Sequence, residues 1–327
     1  DSPEGRMSTQ AKADLRFETA EEPSRPRRSL WGDVWHRLRR NRPAMIGLVI
    51  VILMYLTAIF APVIAPYEFD QIDLDNVSAG PSLEHLMGTD ELGRDVFSRV
   101  VWAARSAAFV SITVTALGLT LGIFFGVLSG YLGGWVDTLI MRLGDVLFAF
   151  PGLLFVFFIA ATIRPTLSVW LRNIGLNDLA RSDYLDYLVV IFALSLVGWP
   201  GMARLIRGQL LSLKNREYIV AAQAIGVPTW RIMLRHLLPN ARPPVIVAVS
   251  AGMGAIILSE ATLSFLGIGL QPPNPSWGAM LFQYNPYWRH DQLWPLLFIP
   301  AAILVAIILA FSFLGDGLNE ALNPQLD

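Results

Sequence analysis

The stretch AMIGLVIVILMYLTAIFAPVIA, residues 44–65, decides the fold class of this chain. It carries no charged side chain, and it is long enough to cross the roughly 30 Å hydrocarbon layer of a membrane, for which a helix needs about 20 residues. A secretory signal peptide has a shorter apolar region, followed by small residues at a cleavage site. The stretch therefore predicts a first transmembrane helix.

Five further apolar runs follow it, at residues 107–131, 139–163, 187–203, 245–265 and 293–314. Each can span as a helix, which satisfies every backbone group in lipid. Charged residues make up 16% of the 327 residues, against roughly 25% in soluble domains. The chain is thus predicted to be an all-α integral membrane protein with about six transmembrane helices. Pro151, Gly252 and Gly254 are expected to be kinks or close-packing points within these runs.

Lysine and arginine are unevenly distributed along the chain. With six spans and a cytoplasmic start, eighteen of them fall on the cytoplasmic side and seven on the external side. Cytoplasmic loops carry such an excess, so both termini are predicted to be cytoplasmic. The implied organisation is a disordered cytoplasmic tail at 1–29, a basic juxtamembrane segment at 30–43 and a transmembrane domain at 44–327, which includes an external segment at 66–106 and a cytoplasmic loop at 205–242.

The cytoplasmic loop at 205–242 is too long for a turn and is patterned as two helices. Asn215 is the predicted N-cap of the first helix, and Glu217 lies in its first turn, where the helix dipole favours a negative charge. Gly226 suits a left-handed C-cap, and Pro228 suits the first turn of the second helix. One face of the first helix combines small and apolar residues, so that another protein can approach closely, and consists of Tyr218, Ala221, Ala222 and Ile225.

The loop resembles that of a known family. Its residues are EYIVAAQAIG at 217–226 and HLLPN at 236–240. They are similar to the cytoplasmic loop of ABC importer permeases, which has Glu-Ala-Ala, three residues, Gly, nine residues and Ile-x-Leu-Pro. Two positions depart from that pattern, since Val220 replaces its Glu and His236 its Ile, and both departures resemble the dipeptide, oligopeptide and nickel branch. Five positions match the pattern, namely Ala221, Ala222, Gly226, Leu238 and Pro239.

Three other segments are similar to stretches of dipeptide and oligopeptide permeases: GTDELGRDVFSR at 88–99, QPPNPSWG at 271–278 and LGDGL at 314–318. The order of a basic tail, one span and then the first of these segments resembles the second of the two permeases that such systems pair. The segment at 88–99 also has an explanation without ligand contact. Its apolar residues from Val96 onward recur at helical spacing, which predicts an interfacial helix that leads into the second span.

The resemblance implies a type I ABC importer permease of the cytoplasmic membrane, which performs no covalent chemistry. Its partners would be a second homologous permease, two ATPase subunits that hold ATP and Mg, an extracytoplasmic solute-binding protein and membrane lipid, but no nucleic acid. The solute would be a dipeptide or oligopeptide, with nickel as the alternative. The first loop helix would be the coupling helix that docks into an ATPase, with the coupling residues Glu217, Tyr218, Ala221, Ala222, Gly226, His236 and Pro239.

Two carboxylates, Asp145 and Glu260, fall within or at the edge of predicted spans, where such groups are candidates for the transport path. Each has an alternative explanation. Asp145 is three residues from Arg142 and can pair with it. Glu260 lies near the external end of its span, where a water-filled cavity or lipid headgroups can solvate it. The sequence leaves both alternatives open.

Two other functional classes account for parts of the sequence. An ion-coupled secondary transporter would also have many spans, but such proteins show related halves, and no internal repeat is visible here. An intramembrane enzyme would need a Ser/His dyad or a metal site on its helices. No catalytic residue and no metal site are expected, because all four histidines lie outside the predicted spans, and the chain has no GxxxxGKS or GxxxxGKT phosphate loop.

The external segments at 164–186 and 270–292 are long and contain Trp, Tyr, Arg and Pro. Aromatic residues and Arg are enriched in the cores of protein interfaces. These two segments are therefore predicted to form the receiving surface for the binding protein.

Overall fold

The computed structural model describes residues 30–214, 216–289 and 293–322. The predicted disordered tail at 1–29 and the predicted N-cap Asn215 lie outside the described residues. Within them most of the chain is helical, and its β structure is confined to an isolated bridge between Thr89 and Asp95. A π-helical turn, Met233–Leu237, lies between two short helices that end at Ile232 and begin at Leu238. In chain order the helices are α1 Leu30–Arg40, α2 Arg42–Ile64, α3 Val96–Leu132, α4 Gly134–Phe148, α5 Gly152–Asn173, α6 Asn177–Arg181, α7 Tyr184–Leu213, α8 Glu217–Ala224, α9 Thr229–Ile232, α10 Leu238–Asn240, α11 Arg242–Phe265, α12 Trp277–Tyr284 and α13 Trp294–Leu322.

Six of these helices are long and apolar enough to cross a membrane, namely α2, α3, α5, α7, α11 and α13. The predicted all-α class and the predicted number of spans are thus confirmed. We call one end of the bundle the cap end, where the segment between α2 and α3 meets α12. We call the opposite end the loop end, where α8, α9 and α10 connect α7 to α11.

The third span differs from the prediction, which placed a single helix at 139–163. The structure ends α4 at Phe148 and begins α5 at Gly152, with Pro151 as the N-cap of α5. Proline has no N–H to donate, and its ring disfavours a helical conformation of the residue before it. The chain therefore breaks where a kink was expected, and the span is α5, displaced toward the C-terminus.

Three spans are clearly longer than predicted, and one of them, α13, continues to Leu322 beyond the predicted end at residue 314. α3 has 37 residues, roughly 55 Å at helical rise, because the interfacial helix expected from Val96 continues into the second span. The Asp95 carboxylate caps it by accepting a hydrogen bond from the Ser98 N–H at 2.7 Å. α7 continues to Leu213, well beyond the predicted end at residue 203. Arg204 and Arg207 remain in this helix because each is paired with a carboxylate on α4.

α3 and α7 form the most extensive helix pair of the bundle. Their contact is built on Gly122, Gly126 and Gly130, which lie about one turn apart on α3. A Cβ at Gly122 would lie 2.5 Å from Met202 Cγ, and one at Gly126 would lie 2.8 Å from the Ala203 carbonyl oxygen. Glycines at this spacing let helix backbones approach closely in a membrane. These glycines are not among the predicted packing points.

α13 packs against α2 and α11 through further glycines. A Cβ at Gly47 would lie 2.5 Å from the Ala310 carbonyl oxygen, and one at Gly254 would lie 2.9 Å from Phe311 Cβ. The predicted close packing is thus confirmed for Gly254. It is wrong for Gly252, where an added Cβ would meet nothing within 4 Å.

Candidate functional site

At the loop end, α8 finishes in a Schellman motif. Gly226 has a φ of 77°, its N–H donates to the Gln223 carbonyl at 3.0 Å, and the Val227 N–H donates to the Ala222 carbonyl at 3.1 Å. The predicted left-handed conformation of Gly226 is therefore confirmed. An added Cβ at this glycine would meet nothing within 4 Å, so glycine is required by the backbone conformation and not by a lack of space.

α8 is anchored by one residue and exposes most of the others. Ile219 is buried with Leu210 of α7 in a small apolar cluster, and Ala222 packs against that cluster as a half-buried residue. Glu217 is exposed at the first position of the helix. Ala221 is exposed beside three large apolar side chains that are exposed as well, Tyr218, Val220 and Ile225, the last of them by 81%. The predicted face is thus largely exposed, and Ala222 is the member that packs against its own chain.

The second arm of the loop runs from α9 through the π-helical turn to α10. Pro239 in α10 has no N–H, and the wider π-helical turn precedes it. Asn240 Nδ2 donates to the His236 carbonyl at 2.7 Å and to the Tyr218 hydroxyl at 3.3 Å. The structure therefore brings Tyr218, His236 and Pro239 together, and Asn240 joins the two arms of the loop.

A cavity of about 480 Å³ lies among α3, α5, α7 and α11. A Cβ added at Gly118, Gly198 or Gly252 would meet nothing within 4 Å, so these glycines give the cavity part of its width. As far as the described residues form it, the rest of the lining is apolar apart from the hydroxyls of Thr115 and Ser259. All four helices contribute glycines to the lining, namely Gly118, Gly152, Gly198, Gly201 and Gly252.

Asp145 belongs to a contact between α4 and α7. Its Oδ1 accepts a hydrogen bond from Arg204 Nη2 at 2.5 Å. The Arg204 guanidinium also lies 4.5 Å from the centroid of the Phe148 ring. The expected pairing of Asp145 with Arg142 is therefore wrong, because α4 turns this carboxylate toward α7.

A second ion pair between the same helices joins Asp137 to Arg207. Sequence reasoning missed it, although both charges are visible beside apolar runs. The sequence feature from which this pair could have been predicted is Pro151. It breaks the chain there and makes α4 a separate helix that lies along the polar end of α7.

Glu260 is buried on α11, with 2% of its surface exposed. Its Oε1 accepts hydrogen bonds from the hydroxyls of Ser264 and Ser276, each at 2.8 Å. The expected solvation by a water-filled cavity or by headgroups is therefore wrong. The carboxylate joins α11 to the segment before α12, and the residues that line the 480 Å³ cavity do not include it.

At the cap end, the segment at 88–99 folds with several of its charges buried. Asp90 accepts hydrogen bonds from Arg94 Nε at 2.8 Å and from the Tyr284 hydroxyl at 3.3 Å. Asp95 Oδ1 lies 3.0 Å from His85 Nδ1. Burial raises the pKa of the Tyr284 hydroxyl. The predicted interfacial helix thus accounts for the residues from Val96 onward, whereas the preceding residues form a buried polar network.

Asp186 joins the two segments that were predicted to receive a binding protein. Its Oδ1 accepts from Arg164 Nε at 2.5 Å, and its Oδ2 accepts from the Gln271 N–H at 3.2 Å. Large exposed side chains in these segments include Tyr184 and Phe282. Residues 290–292, at the end of the second segment, lie outside the described residues.

Two family models match the chain. A family described as binding-protein-dependent transport system inner membrane component matches residues 122–327, and the N-terminal TM domain of oligopeptide transport permease C matches residues 29–81. The oligopeptide transport system permease protein OppC of Bacillus subtilis is 37% identical over 313 residues, which cover 94% of this chain and 93% of that protein.

Glutathione permeases are similar to the chain over almost the same length. The glutathione transport system permease protein GsiD of Escherichia coli O6:K15:H31 is 40% identical over 302 residues, and GsiD of Shigella flexneri serotype 5b is 42% identical over 302 residues. Each match covers 91% of this chain and 92% of the relative. The chain is therefore a multi-pass inner-membrane protein that belongs to the inner membrane components of binding-protein-dependent transport systems, within the peptide and nickel branch of the ABC permeases.

Proposed function

We propose that the chain is one of two homologous permease subunits of an ATP-driven importer for peptides. One of the relatives is named for oligopeptides and two are named for glutathione, which is itself a peptide. The observation that carries the proposal is α8, a capped helix that exposes apolar side chains at the loop end while one buried residue holds it to α7.

α8 is the coupling helix of this proposal. Clustered exposed apolar side chains mark a surface for another protein, and Ala221 among them lets a partner come close. Ile219 ties α8 to α7, and the hydrogen bond from Asn240 to Tyr218 ties it to the arm that leads into α11. A displacement of α8 by an ATPase would therefore reach both spans. Both spans line the 480 Å³ cavity.

The cavity is the part of the solute path that this chain would supply. A wall of glycines and apolar side chains holds no peptide by charge, so passage through it would depend on size more than on side-chain type. Nickel is bound through imidazole, thiolate or carboxylate groups. The described lining offers the Thr115 and Ser259 hydroxyls instead, which favours a peptide over nickel as the solute. An ion-coupled carrier would need carboxylates along its path, and the described lining of this cavity contains none.

The remaining partners follow from this assignment. The loop end, with its basic residues, and both termini would lie in the cytoplasm. Two ATPase subunits would hold ATP and Mg there, and a second homologous permease would complete the path. An extracytoplasmic solute-binding protein would bind at the cap end, on the two segments that Asp186 joins.

The test is Ala221→Trp in the complete complex, reconstituted in lipid vesicles. The large side chain should overpack the contact with the ATPase, so peptide uptake should fall while the subunit still inserts. Ala161→Trp is the matched control, because Ala161 is also an exposed alanine but lies in the middle of α5, away from α8. Ala222→Trp is less informative, since Ala222 packs against its own chain.

Two measurements read the outcome: the amount of ATPase that copurifies with the permease, and uptake per ATP hydrolysed. A loss in Ala221→Trp with normal values in Ala161→Trp supports docking through α8. Normal assembly and normal uptake in both variants would overturn the coupling role.

A further inference from the structure

Arg99 is the largest fully buried side chain among the described residues, with 1% of its surface exposed. Its one side-chain hydrogen bond runs from Nη1 to the Phe69 carbonyl at 3.2 Å. The Nε atom is buried without a hydrogen-bond partner. A buried guanidinium is unfavourable unless an anion is paired with it, so Arg99 strongly favours an anionic group at this position.

The neighbouring carboxylates are engaged elsewhere. Asp90 forms its ion pair with Arg94, and Asp95 lies against His85 and accepts from the Ser98 N–H. Neither carboxylate pairs with Arg99. Arg99 also lies in the first turn of α3, where the helix dipole adds positive potential.

Arg99 lines a cavity of about 650 Å³ at the cap end, between the segment at 88–99 and α12. This volume lies in the range of small-molecule sites. Phe69 takes an N–H of Nη1 and Nε is fully buried, so Nη2 is the donor left for a ligand, with which it would make a charge-assisted hydrogen bond to one carboxylate oxygen.

The outer cavity is adjacent to the glycine-lined one. Leu263 and Ser264 are consecutive residues of α11, and they line the 480 Å³ cavity and the 650 Å³ cavity respectively. The outer cavity therefore meets α11 one residue away from the path proposed above.

We propose that Arg99 binds the terminal carboxylate of a peptide at the cap end, before the peptide enters the glycine-lined cavity. This inference rests on the proposed import of peptides. Every linear peptide with a free C-terminus presents this group, whatever its side chains, so a single arginine would serve many peptides. The solute would thus be oriented with its carboxylate toward the first turn of α3.

The test is equilibrium binding of trialanine and of trialanine amide to the complete, detergent-purified complex without binding protein. The parent should bind the free acid about tenfold more tightly than the amide, as expected for a hydrogen bond to a charged group. Arg99→Met should bind both peptides equally and at the level of the amide. Arg99→Lys should keep part of the preference, because it keeps the charge but does not place a donor where Nη2 lies.

Arg105→Met is the matched control, since Arg105 is an exposed arginine on the same helix and is not among the residues that line the outer cavity. It should bind both peptides as the parent does. If Arg99→Met fails to assemble, the test rests on the parent complex. Equal binding of the free acid and the amide by the parent overturns the proposal. The proposal is also overturned if an assembled Arg99→Met complex prefers the free acid over the amide as strongly as the parent does. This holds even if that variant binds the binding protein less well. Failure of the parent to import any peptide with its binding protein would instead contradict the proposed function.

Discussion

Arg207 of α7 and Asp137 of α4 form a two-point ion pair, in which Nε donates to Oδ1 at 2.6 Å and Nη2 donates to Oδ2 at 2.5 Å. The Ser129 hydroxyl of α3 donates to the same carboxylate. Asp137 therefore joins three helices close to the anchor of α8. These hydrogen bonds, above all those from Arg207, hold the pKa of Asp137 below its usual value.

Asp137→Asn is expected to destabilise the complex by roughly 1–2 kcal/mol, between the values for exposed and for buried pairs. The folded-state pKa of Asp137 lies below its unfolded value. The contribution of the pair is therefore complete above the unfolded pKa of about 4 and is lost as the pH falls through the folded value. Thermal unfolding followed into the acidic range should show parent and variant converging.

The control for this prediction is Asp145→Asn, which breaks the more exposed pair of the same two helices. Its cost should be smaller, about 0–1 kcal/mol. Equal losses in the two variants, or a difference between Asp137→Asn and parent that does not shrink with acid, would contradict the assignment.

Gly226→Val is expected to weaken coupling between ATP hydrolysis and transport without preventing insertion. A β-branched residue in the left-handed region costs roughly 1–2 kcal/mol, and relieving that strain would redirect the arm that leads through Pro239 to α11. Gly226→Asn should retain more coupling, because asparagine tolerates this region better and the surrounding space is open. Substrate-stimulated ATPase activity of the reconstituted complex is the measurement.

Gly175→Val provides the matched control for Gly226. Gly175 has a φ of 84° and also has no atom within 4 Å of an added Cβ, but it lies between α5 and α6 at the cap end. Because Gly175 lies in the segment 164–186, the same strain there would weaken docking of the binding protein, and uptake and ATP hydrolysis should then fall together without being uncoupled. Full coupling in Gly226→Val would show that the geometry of this turn does not matter for transmission.

Gly198→Leu is expected to narrow the glycine-lined cavity and to reduce uptake of longer peptides more than that of dipeptides. Gly208→Leu is its counterpart on the same helix, since both glycines have open space around an added Cβ and Gly208 is not among the lining residues. Both changes raise helix propensity by about 1 kcal/mol, so differences in helix stability cancel. A similar effect of the two variants on peptide-length preference would remove the cavity from the path.

Photocrosslinkers at Tyr184 and Phe282 are expected to capture the solute-binding protein. Both side chains are well exposed, and Asp186 holds their two segments together at the cap end. A crosslinker at Ile225, on the exposed face of α8, should capture an ATPase instead. In a complex that still transports, capture of the binding protein from neither cap-end position would leave these segments as structural covers only.

The number of spans was predictable because each depends on a local quantity, the length of an apolar run. The conformation of Gly226 was predictable for a similar reason, since the helix stop and the following Pro228 lie in one short stretch. The break before α5 was predictable only in part. Pro151 predicts an irregularity in the helix, but whether a proline kinks a helix or ends it depends on the neighbouring helices that replace the lost hydrogen bonds.

The partners of Asp145 and Glu260 depended on tertiary contacts and were not predictable. Asp145 meets Arg204 across two helices, 59 residues away in sequence, and Glu260 is held by Ser276 from a segment that follows its own span. The glycines of α3 were missed because their role appears only when α7 packs against them. Likewise, the burial of Arg99 depends on tertiary contacts and is not visible in the sequence.

Because α3 is one unbroken helix, a movement at one of its ends is transmitted to the other. At roughly 55 Å, α3 is much longer than the roughly 30 Å hydrocarbon layer, so the whole helix does not fit within that layer. A tilt of about 10° around its midpoint would swing each end by roughly 5 Å. One arm ends near Leu210, which packs against Gly130 and holds α8, and the other arm carries Arg99. A small push on one side of the membrane would therefore arrive on the other side with the same amplitude and the opposite direction.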